Sequence, residues 1–283
     1  MISLLSIQSH VVYGHVGNSA ATFALQRMGC EVLALHSVQY SSHTGYSGWR
    51  GRSFDAAMID ECVAGLLAIG ALKSCAGLLS GYIGSATQGA AVLRAIQTLA
   101  GENPAALYCC DPVMGDDDAG LYVAPDIVDF MRLQALPRAR LATPNGFELA
   151  QLTGLDARDA RQMRLAFATL HRMGPEIILA TSMRLEDTPA DCLDTLASDG
   201  RGVWRVRTPL APINVKGAGD LLAALFFFHW LESGSARSAL SKSVASVYGV
   251  IAATARSGQR ELALIASQDE LIRPTRAFEA QDY

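Results

Sequence analysis

Two patterns of apolar residues alternate along this chain. In the first, apolar residues stand next to one another in short runs bounded by polar or glycine positions, which is typical of a buried strand. In the second, they recur every three or four positions, roughly one helical turn, as on the buried face of a helix. The first pattern predicts strands over residues 2–7, 31–38, 76–80, 106–111, 141–143 and 176–181. The second predicts helices over residues 18–28, 55–69, 85–100, 125–133, 146–152, 158–172, 220–231 and 236–255.

Two further strands are predicted over residues 192–197 and 202–208, and a short turn joins them. Asp199-Gly200 between them favours a tight hairpin. Elsewhere strand and helix follow each other in strict alternation, which indicates a mostly parallel central sheet with helices on both faces. No repeat and no linker rich in Pro, Gly or Ser divides the chain. We therefore expect an α/β fold in which residues 1–283 form a single domain.

Polar side chains cluster just after the predicted strands. In a parallel sheet the carboxyl ends of the strands meet at one edge, where α/β proteins bind their ligands. Loops are polar in any protein, but this general tendency does not explain why uncommon residue types concentrate on one side. We therefore expect a single composite active site at this edge. The residues concerned include Ser9, Thr44, Tyr82, Asp111, Thr143 and Thr181.

The composition argues against several classes of partner. Half of the residues are hydrophobic and 18% are charged, so a large core can form. A net charge of −4 without a basic tract argues against nucleic acid. The longest apolar run, residues 221–228, is far shorter than the ~20 residues of a membrane helix. The N-terminus does not resemble a signal peptide, and the six cysteines lack C-x-x-C spacing, so we expect a cytoplasmic protein with reduced thiols.

The sequence Gly217-Ala218-Gly219-Asp220 stands directly before that apolar run. Small residues let consecutive backbone N–H groups point into one concavity, toward which the following helix turns its positive end. An acid there would repel phosphate unless it takes a proton from the group that the phosphate is about to reach. The motif thus predicts a small-molecule kinase with Asp220 as general base and the three small residues as an anion hole. Taken alone, the string fits an ordinary loop with a helix N-cap equally well.

Five segments in this order resemble the pyridoxal kinases of the ribokinase-like superfamily. They are QSHVVYG with VGN at residues 8–18, HTGY at 43–46, DPVMGD at 111–116, TPN at 143–145 with Glu148, and GAGD at 217–220. The resemblance implies a ribokinase-like fold and ATP-dependent phosphorylation of the 5′-hydroxymethyl group of B6 vitamers, giving pyridoxal 5′-phosphate. The alternatives are a hydroxymethylpyrimidine kinase and a catalytically weak vitamer-binding protein. The HTGY segment favours pyridoxal, and the intact Asp220 favours a kinase.

The resemblance implies a vitamer site formed mainly by the first two segments. The hydroxyl groups of Ser9 and Thr44 would hold the pyridine ring, and Val16 and Tyr122 would form apolar and aromatic walls. His43 would either stand next to a substrate aldehyde or be held behind it by hydrogen bonds, and we expect the second. The implied substrate-binding set is Ser9, Val16, His43, Thr44, Tyr82, Tyr122 and Asp220.

The resemblance also implies a site for ATP, Mg²⁺ and a monovalent cation. Asp116 and Glu148 would hold Mg²⁺ directly or through water, because Mg²⁺ prefers oxygen ligands. Asp111 and Thr143 match positions that bind K⁺ or Na⁺ beside the nucleotide phosphates. Alternatively, Glu148 is only a favourable charge at a helix N-terminus. The implied nucleotide-binding set is Asp111, Thr143, Asn145, Glu148, Thr181, Ser182, Ala211, Ile213, Gly217 and Gly219.

Three positions depart from the pattern of the family. Ala218 stands where related kinases often have Thr or Val, and the backbone nature of the anion hole should tolerate this change. Thr181 stands where some bacterial members carry Lys, so a positive charge toward ATP is missing there. Lys216 either leans toward the phosphates or points to solvent, and we expect it to point to solvent. The related families also imply a homodimer.

Overall fold

The alternation of strand and helix is present in the computed structural model, which describes all 283 residues. The strands are β1 (Ser3–Val11), β2 (Glu31–Tyr40), β3 (Gly51–Ser53), β4 (Gly77–Ser80), β5 (Leu107–Cys110), β6 (Gly115–Asp116), β7 (Gly120–Leu121), β8 (Leu141–Ala142), β9 (Ile177–Met183), β10 (Cys192–Ser198), β11 (Val203–Pro209) and β12 (Gln281–Asp282). The α-helices are α1 (Asn18–Arg27), α2 (Ala56–Ala68), α3 (Ala86–Glu102), α4 (Pro125–Phe130), α5 (Gly146–Thr153), α6 (Ala160–Met173), α7 (Ala218–Ser233), α8 (Ala236–Ser257) and α9 (Asp269–Ile272).

Ten of the strands form one sheet in the order β12-β11-β10-β9-β8-β5-β4-β1-β2-β3. The central strands from β9 to β2 are all parallel. Antiparallel strands extend the sheet on both sides, with β3 beyond β2 and the β10–β12 meander beyond β9. The predicted α/β architecture with a mostly parallel sheet is confirmed.

The sheet separates two hydrophobic cores. Neighbouring residues of a strand point to opposite faces, so Leu78 and Cys110 enter one core while Leu79 and Cys109 enter the other. The first core contains 36 buried residues and includes side chains of α2 to α6. The second contains 31 and includes side chains of α1, α7, α8 and α9. The central sheet therefore has helices on both faces, as predicted.

Helix α7 lies inside the second core. All residues from Leu221 to Phe228 are buried, which explains why its sequence is apolar on every side. No helix of the structure, α7 included, is both long enough and apolar enough to cross a membrane. The core position of α7 fixes the place of its N-terminus at the edge of the sheet.

Some element ends differ from the predicted ones. β1 continues to Val11 because it pairs with β2 as far as Tyr40, so Ser9 lies inside the strand rather than after it. β9 continues to Met183 because that residue pairs with Asp194 of β10. The helix predicted over residues 125–133 leaves the α-form after Phe130 and continues as a π-helical turn. The short strands β3, β6, β7 and β12 were not predicted, since such pairings have no periodicity of their own.

Candidate active site

Two neighbouring strands deliver the first pair of site residues. Asp111 follows β5 and Thr143 follows β8, and only 6% and 3% of their surfaces are exposed. Because β5 and β8 are adjacent and parallel, both residues leave the sheet at its carboxyl edge. The Thr143 hydroxyl donates to Asp111 Oδ1 over 2.9 Å. The structure thus brings together the two residues expected to hold a monovalent cation.

Asn145 and Glu148 form a capping box at the start of α5. The Asn145 side chain accepts from the Glu148 N–H at 2.8 Å, and Glu148 Oε2 accepts from the Asn145 N–H at 2.9 Å. Glu148 Oε1 accepts from the Met114 N–H at 2.9 Å. Both carboxylate oxygens therefore already stabilise the backbone. The Mg²⁺ role that the resemblance implies for Glu148 would have to coexist with this capping role, which favours contact through water over direct ligation.

Helix α7 begins in the glycine loop. Gly217 has φ +92°, and a Cβ there would lie 1.7 Å from the His15 carbonyl oxygen, so only glycine fits this position. Ala218, Gly219 and Asp220 form the first turn, whose N–H groups have no partner within the helix. A Cβ on Gly219 would meet nothing within 4 Å. Ala218 and Gly219 line an open cleft, so their N–H groups are available for an anion hole.

The Asp220 carboxyl group lies where this turn meets the loop after β1. Burial raises its pKa to about 6, although the N–H groups of Gly17 and of Asp220 itself stabilise the charged form. Gly17 packs in turn on Ser9, because a Cβ on Gly17 would lie 2.3 Å from Ser9 Oγ. Asp220 thus connects the anion hole to the predicted vitamer side. At neutral pH it is ionised and can accept a proton.

Two other buried carboxyl groups lie near Asp220. Burial raises the pKa of Asp111 well above its usual range, and the charges of Glu148 and Asp220 raise it further. Burial also raises the pKa of Glu148 to about 8, against the effect of the N–H groups that it accepts. No Lys or Arg side chain pairs with any of the three. These three carboxyl groups offer oxygen atoms, the ligands that Mg²⁺ prefers, but they do not converge as a ready metal cluster.

Lys216 does not point freely into solvent, which corrects our expectation. Its Nζ lies 2.7 Å from Asp116 Oδ2, although 40% of the Lys216 side chain is exposed. Partial burial disfavours ionisation of Asp116, but the hydrogen bonds from Lys216 and from the Ala119 N–H outweigh it, and its pKa is lowered. Asp116 is therefore already paired with a cation. No three acidic, imidazole or thiol side chains come together as a ready metal cluster.

A cleft with a volume of about 620 Å³ runs along this edge of the sheet. Arg184, which no sequence pattern singled out, also lines the cleft and supplies a positive charge. It directly follows β9 and is exposed, as is Ser182 two positions earlier. The predicted residues that line the cleft are Asp111, Asp116, Tyr122, Thr143, Asn145, Glu148, Thr181, Ser182, Ala211, Ile213, Gly217, Ala218, Gly219 and Asp220.

The remaining predicted residues lie outside this cleft. Ser9 is buried beside Gly17, and Thr44 is exposed on the loop after β2. Tyr82 is partly buried, and its pKa is raised to about 12 by burial and by neighbouring Tyr40. The lining of the cleft does not include these residues or Val16 and His43. Of the predicted vitamer residues, Tyr122 and Asp220 line the cleft, whereas Ser9 is connected to Asp220 through Gly17, whose N–H donates to the Asp220 carboxyl group.

Comparisons with known proteins agree with this geometry. The family model described as phosphomethylpyrimidine kinase matches residues 78–264. A pyridoxal kinase PdxY of Granulibacter bethesdensis is 44% identical over 284 residues, covering 99% of both chains. One of Deinococcus radiodurans is 46% identical over 285 residues, covering 99% of this chain and 96% of its own. A structure of pyridoxal kinase from Leishmania donovani with ADP and pyridoxamine is 30% identical, covers 100% of both chains and superposes with a TM-score of 0.92.

Proposed function

Because the chain belongs to the pyridoxal kinase family, we propose that it transfers the γ-phosphoryl group of ATP to the 5′-hydroxymethyl group of B6 vitamers. Pyridoxal would give pyridoxal 5′-phosphate and ADP. The position of the Asp220 carboxyl group carries this proposal, since it lies beside the free N–H groups of α7 and next to Gly17 of the loop after β1. A base at that point can take the proton of the vitamer hydroxyl group close to the N–H groups that are proposed to hold the phosphoryl group.

Asp220 is proposed to act as the general base. With a pKa of about 6 it is ionised at neutral pH, so it can take the hydroxyl proton as the oxygen attacks the γ-phosphorus. The new P–O bond forms while the bond to the ADP oxygen breaks, and the electron pair leaves with ADP. The N–H groups of Gly217, Ala218 and Gly219 are placed to stabilise the charge that develops on the transferred group.

The nucleotide is proposed to lie in the cleft described above. Ala211 and Ile213 offer apolar contact to adenine, while the hydroxyl groups of Thr181 and Ser182 face the phosphates. Arg184 contributes a positive charge on the same side as Ser182. In this proposal the γ-phosphoryl group lies at the first turn of α7.

The acidic cluster fits the cations that the family resemblance implies. Asp116 and Glu148 are proposed to hold Mg²⁺, with Glu148 acting through water because its oxygens accept backbone N–H groups. Asp111 and Thr143 are proposed to hold K⁺ or Na⁺. When bound, these cations neutralise phosphate charge during the transfer. The protein side of this arrangement is an all-oxygen donor set without a Lys or Arg partner at Asp111 or Glu148.

Release of ADP measured across a panel of substrates tests the proposal. Pyridoxal, pyridoxine and pyridoxamine are compared with hydroxymethylpyrimidine, which the description of the matching family model brings in as a second candidate. We expect turnover of B6 vitamers above that of the pyrimidine. Turnover of the pyrimidine alone would assign the second candidate. Vitamer binding without ADP release would leave a vitamer-binding protein.

We also propose that residues 1–283 act as one domain, because a single ten-stranded sheet connects the N-terminal and C-terminal parts. A homodimer in the cytoplasm completes the proposal, by analogy with the related families. Light scattering coupled to gel filtration measures the mass of the assembly, and a monomer at micromolar concentration would contradict the dimer.

A further inference from the structure

Residues 260 and 261, which follow α8, contact the loop after β2. The Glu261 side chain is only 9% exposed, and its Oε1 accepts a hydrogen bond from the Tyr46 hydroxyl at 2.6 Å. The same oxygen lies 3.2 Å from His43 Nε2. The loop after β2 is the segment expected to present Thr44 to the vitamer. A buried acid from a distant part of the chain therefore holds both ends of the HTGY segment.

The hydrogen bonds of His43 define its tautomer. The Gly45 N–H donates to His43 Nδ1 over 3.1 Å, so Nδ1 is an acceptor and the ring proton is on Nε2. That proton points to Glu261. Both ring nitrogens are therefore occupied within the protein. His43 has no ring nitrogen free for a substrate aldehyde, and it acts through the loop rather than on the ligand.

Other contacts join the same segments. The Arg260 guanidinium lies 3.9 Å above the centre of the Tyr46 ring, and Tyr13 packs edge-on against that ring at 5.9 Å. Gly14 packs so tightly on Glu261 that a Cβ there would lie 2.2 Å from Glu261 Oε2. The loop after β1, the loop after β2 and residues 260–261 thus meet at Glu261.

A role in packing alone does not explain an acid at this place. Glu261 Oε2 is buried and has no hydrogen-bond partner, which is costly for a carboxyl oxygen. Oε1 alone accepts both loop contacts. Its hydrogen bond from Tyr46 is the main cause that raises the pKa of that phenol to about 12. What the side chain supplies is one well-placed acceptor for two residues of the loop.

We propose that Glu261 is a positioning residue that, by holding His43 and Tyr46, fixes residues 43–46 in the conformation that presents Thr44 to the vitamer. This inference rests on the proposed function, because the vitamer is the ligand that Thr44 is expected to hold. It predicts an effect on vitamer binding and none on the nucleotide, because neither Glu261 nor residues 43–46 line the cleft proposed to hold ATP.

The test measures the Kd of pyridoxal by calorimetry without nucleotide and the KM values for pyridoxal and ATP. Glu261→Ala is expected to weaken pyridoxal binding about tenfold or more, because it removes an acceptor of charge-assisted hydrogen bonds. The KM for ATP stays unchanged. Glu261→Gln keeps one acceptor oxygen and stays within about threefold of the wild type. Tyr46→Phe, which removes one bond and no charge, weakens binding less than Glu261→Ala.

Glu270→Ala is the matched control. Glu270 is equally buried, with 8% exposure for each residue, but it bonds to Thr275 and lies outside the cleft and the loops. We expect this variant to lose thermal stability while both KM values stay unchanged. A double-mutant cycle of Glu261→Ala with His43→Ala then measures coupling. If Glu261 acts through His43, the two losses of vitamer affinity are clearly less than additive.

The outcomes separate this inference from the proposed function. A wild-type protein that binds no B6 vitamer overturns both. If the wild type binds the vitamer and Glu261→Ala leaves this binding intact, only the positioning role is overturned. The same holds if Glu261→Ala weakens vitamer binding and ATP binding together. Additive losses in the double-mutant cycle do the same. A Glu261→Gln variant as weak as Glu261→Ala also overturns it, because the second oxygen or the charge would then act on the ligand itself.

Discussion

The charge on Asp220 is set by two opposing influences. Burial raises its pKa to about 6, and the N–H groups of Gly17 and of Asp220 itself hold the shift within that range. A general base is most effective when its pKa lies close to the working pH. Asp220 therefore remains ionised at neutral pH and is still basic enough to take a proton.

Replacing Asp220 with Asn removes the proton acceptor and preserves size. We expect kcat to fall roughly 10²- to 10⁴-fold, as for loss of a general base, while vitamer affinity changes little. In the wild type, kcat/KM should fall as the pH drops below about 6, because Asp220 becomes protonated. Steady-state kinetics from pH 5 to 8 check both effects. Asp126→Asn, in the first turn of α4 and outside the cleft, is the control. If the kcat of Asp220→Asn stays within a few-fold of the wild-type value, Asp220 is a capping residue.

The ion pair of Lys216 and Asp116 lies in the wall of the nucleotide cleft. Because 40% of the Lys216 side chain and 30% of the Asp116 side chain are exposed, the pair adds only about 0–1 kcal/mol to stability. Its larger effect is electrostatic, since Lys216 places a positive charge in the cleft that is proposed to hold ATP.

Replacing Lys216 with Ala removes a positive charge from the cleft that is proposed to hold ATP. We expect the KM for ATP to rise roughly 3- to 10-fold, through a loss of attraction that salt partly screens. The KM for pyridoxal and the melting temperature should change little. Lys242→Ala removes an exposed lysine outside the cleft and serves as control. An unchanged KM for ATP at low salt would mean that Lys216 has no influence on the nucleotide.

At the scale of elements, two glycines at the start of α7, the N-cap Gly217 and Gly219 in the first turn, are there for different reasons. Gly217 has a positive φ and lies against the His15 carbonyl, so the fold itself requires it. Gly219 has ordinary helical geometry and open space around it. Its lack of a side chain leaves room in the cleft and adds nothing to the packing of the helix.

The two glycines should therefore respond oppositely to alanine. Gly217→Ala is expected to destabilise the fold by about 1–3 kcal/mol or more, because it adds strain and a clash. Gly219→Ala should keep or raise stability by up to ~1 kcal/mol while the KM for ATP rises about tenfold, since a methyl group blocks phosphate from the N–H groups. Thermal melts and ATP kinetics measure both. Gly65→Ala, on the open face of α2, is the control and should raise stability without changing the KM for ATP. Equal losses of stability in Gly217→Ala and Gly219→Ala would refute the distinction between the two glycines.

At the scale of the whole molecule, folding gathers three acids from separate segments. Asp111, Glu148 and Asp220 all have raised pKa values when folded. Groups with raised pKa values bind more protons in the folded than in the unfolded chain, so their contribution to stability falls as pH rises. For Glu148 this contribution to stability is lost as the pH rises from about 4.5 to about 8. A bound cation offsets the loss, because it favours the charged forms.

Stability should consequently depend on cation and pH together. In tetramethylammonium chloride we expect the melting temperature to fall between pH 5 and pH 8. KCl at the same ionic strength should restore part of the loss at pH 8 and have little effect at pH 5, because K⁺ competes with protons for the cluster. Asp111→Asn should reduce the K⁺ effect. Scanning calorimetry measures this, and identical melting temperatures in both salts at pH 8 would show that no monovalent site forms.

The sequence by itself determined the order and type of the main elements. Buried apolar residues recur along the sequence with the period of the helix or strand that contains them. The pattern of apolar residues therefore predicts most strands and helices of this fold. Gly217-Ala218-Gly219-Asp220 was equally readable, because a turn and a helix start depend on neighbours in sequence. The ends of β1 and β9 were predicted less well, since pairing with β2 and β10 extends them. Periodicity does not show where such a partner strand stops.

Tertiary structure alone decided which distant residues meet. Lys216 and Asp116 are 100 positions apart, and Glu261 and His43 are 218 apart. No local pattern distinguishes Glu261 from a solvated acid, and none showed that Lys216 pairs with Asp116. These contacts follow from the order of strands in the sheet, which brings the loops after β1 and β2 together with the end of α8. Burial there changes what each charge can do.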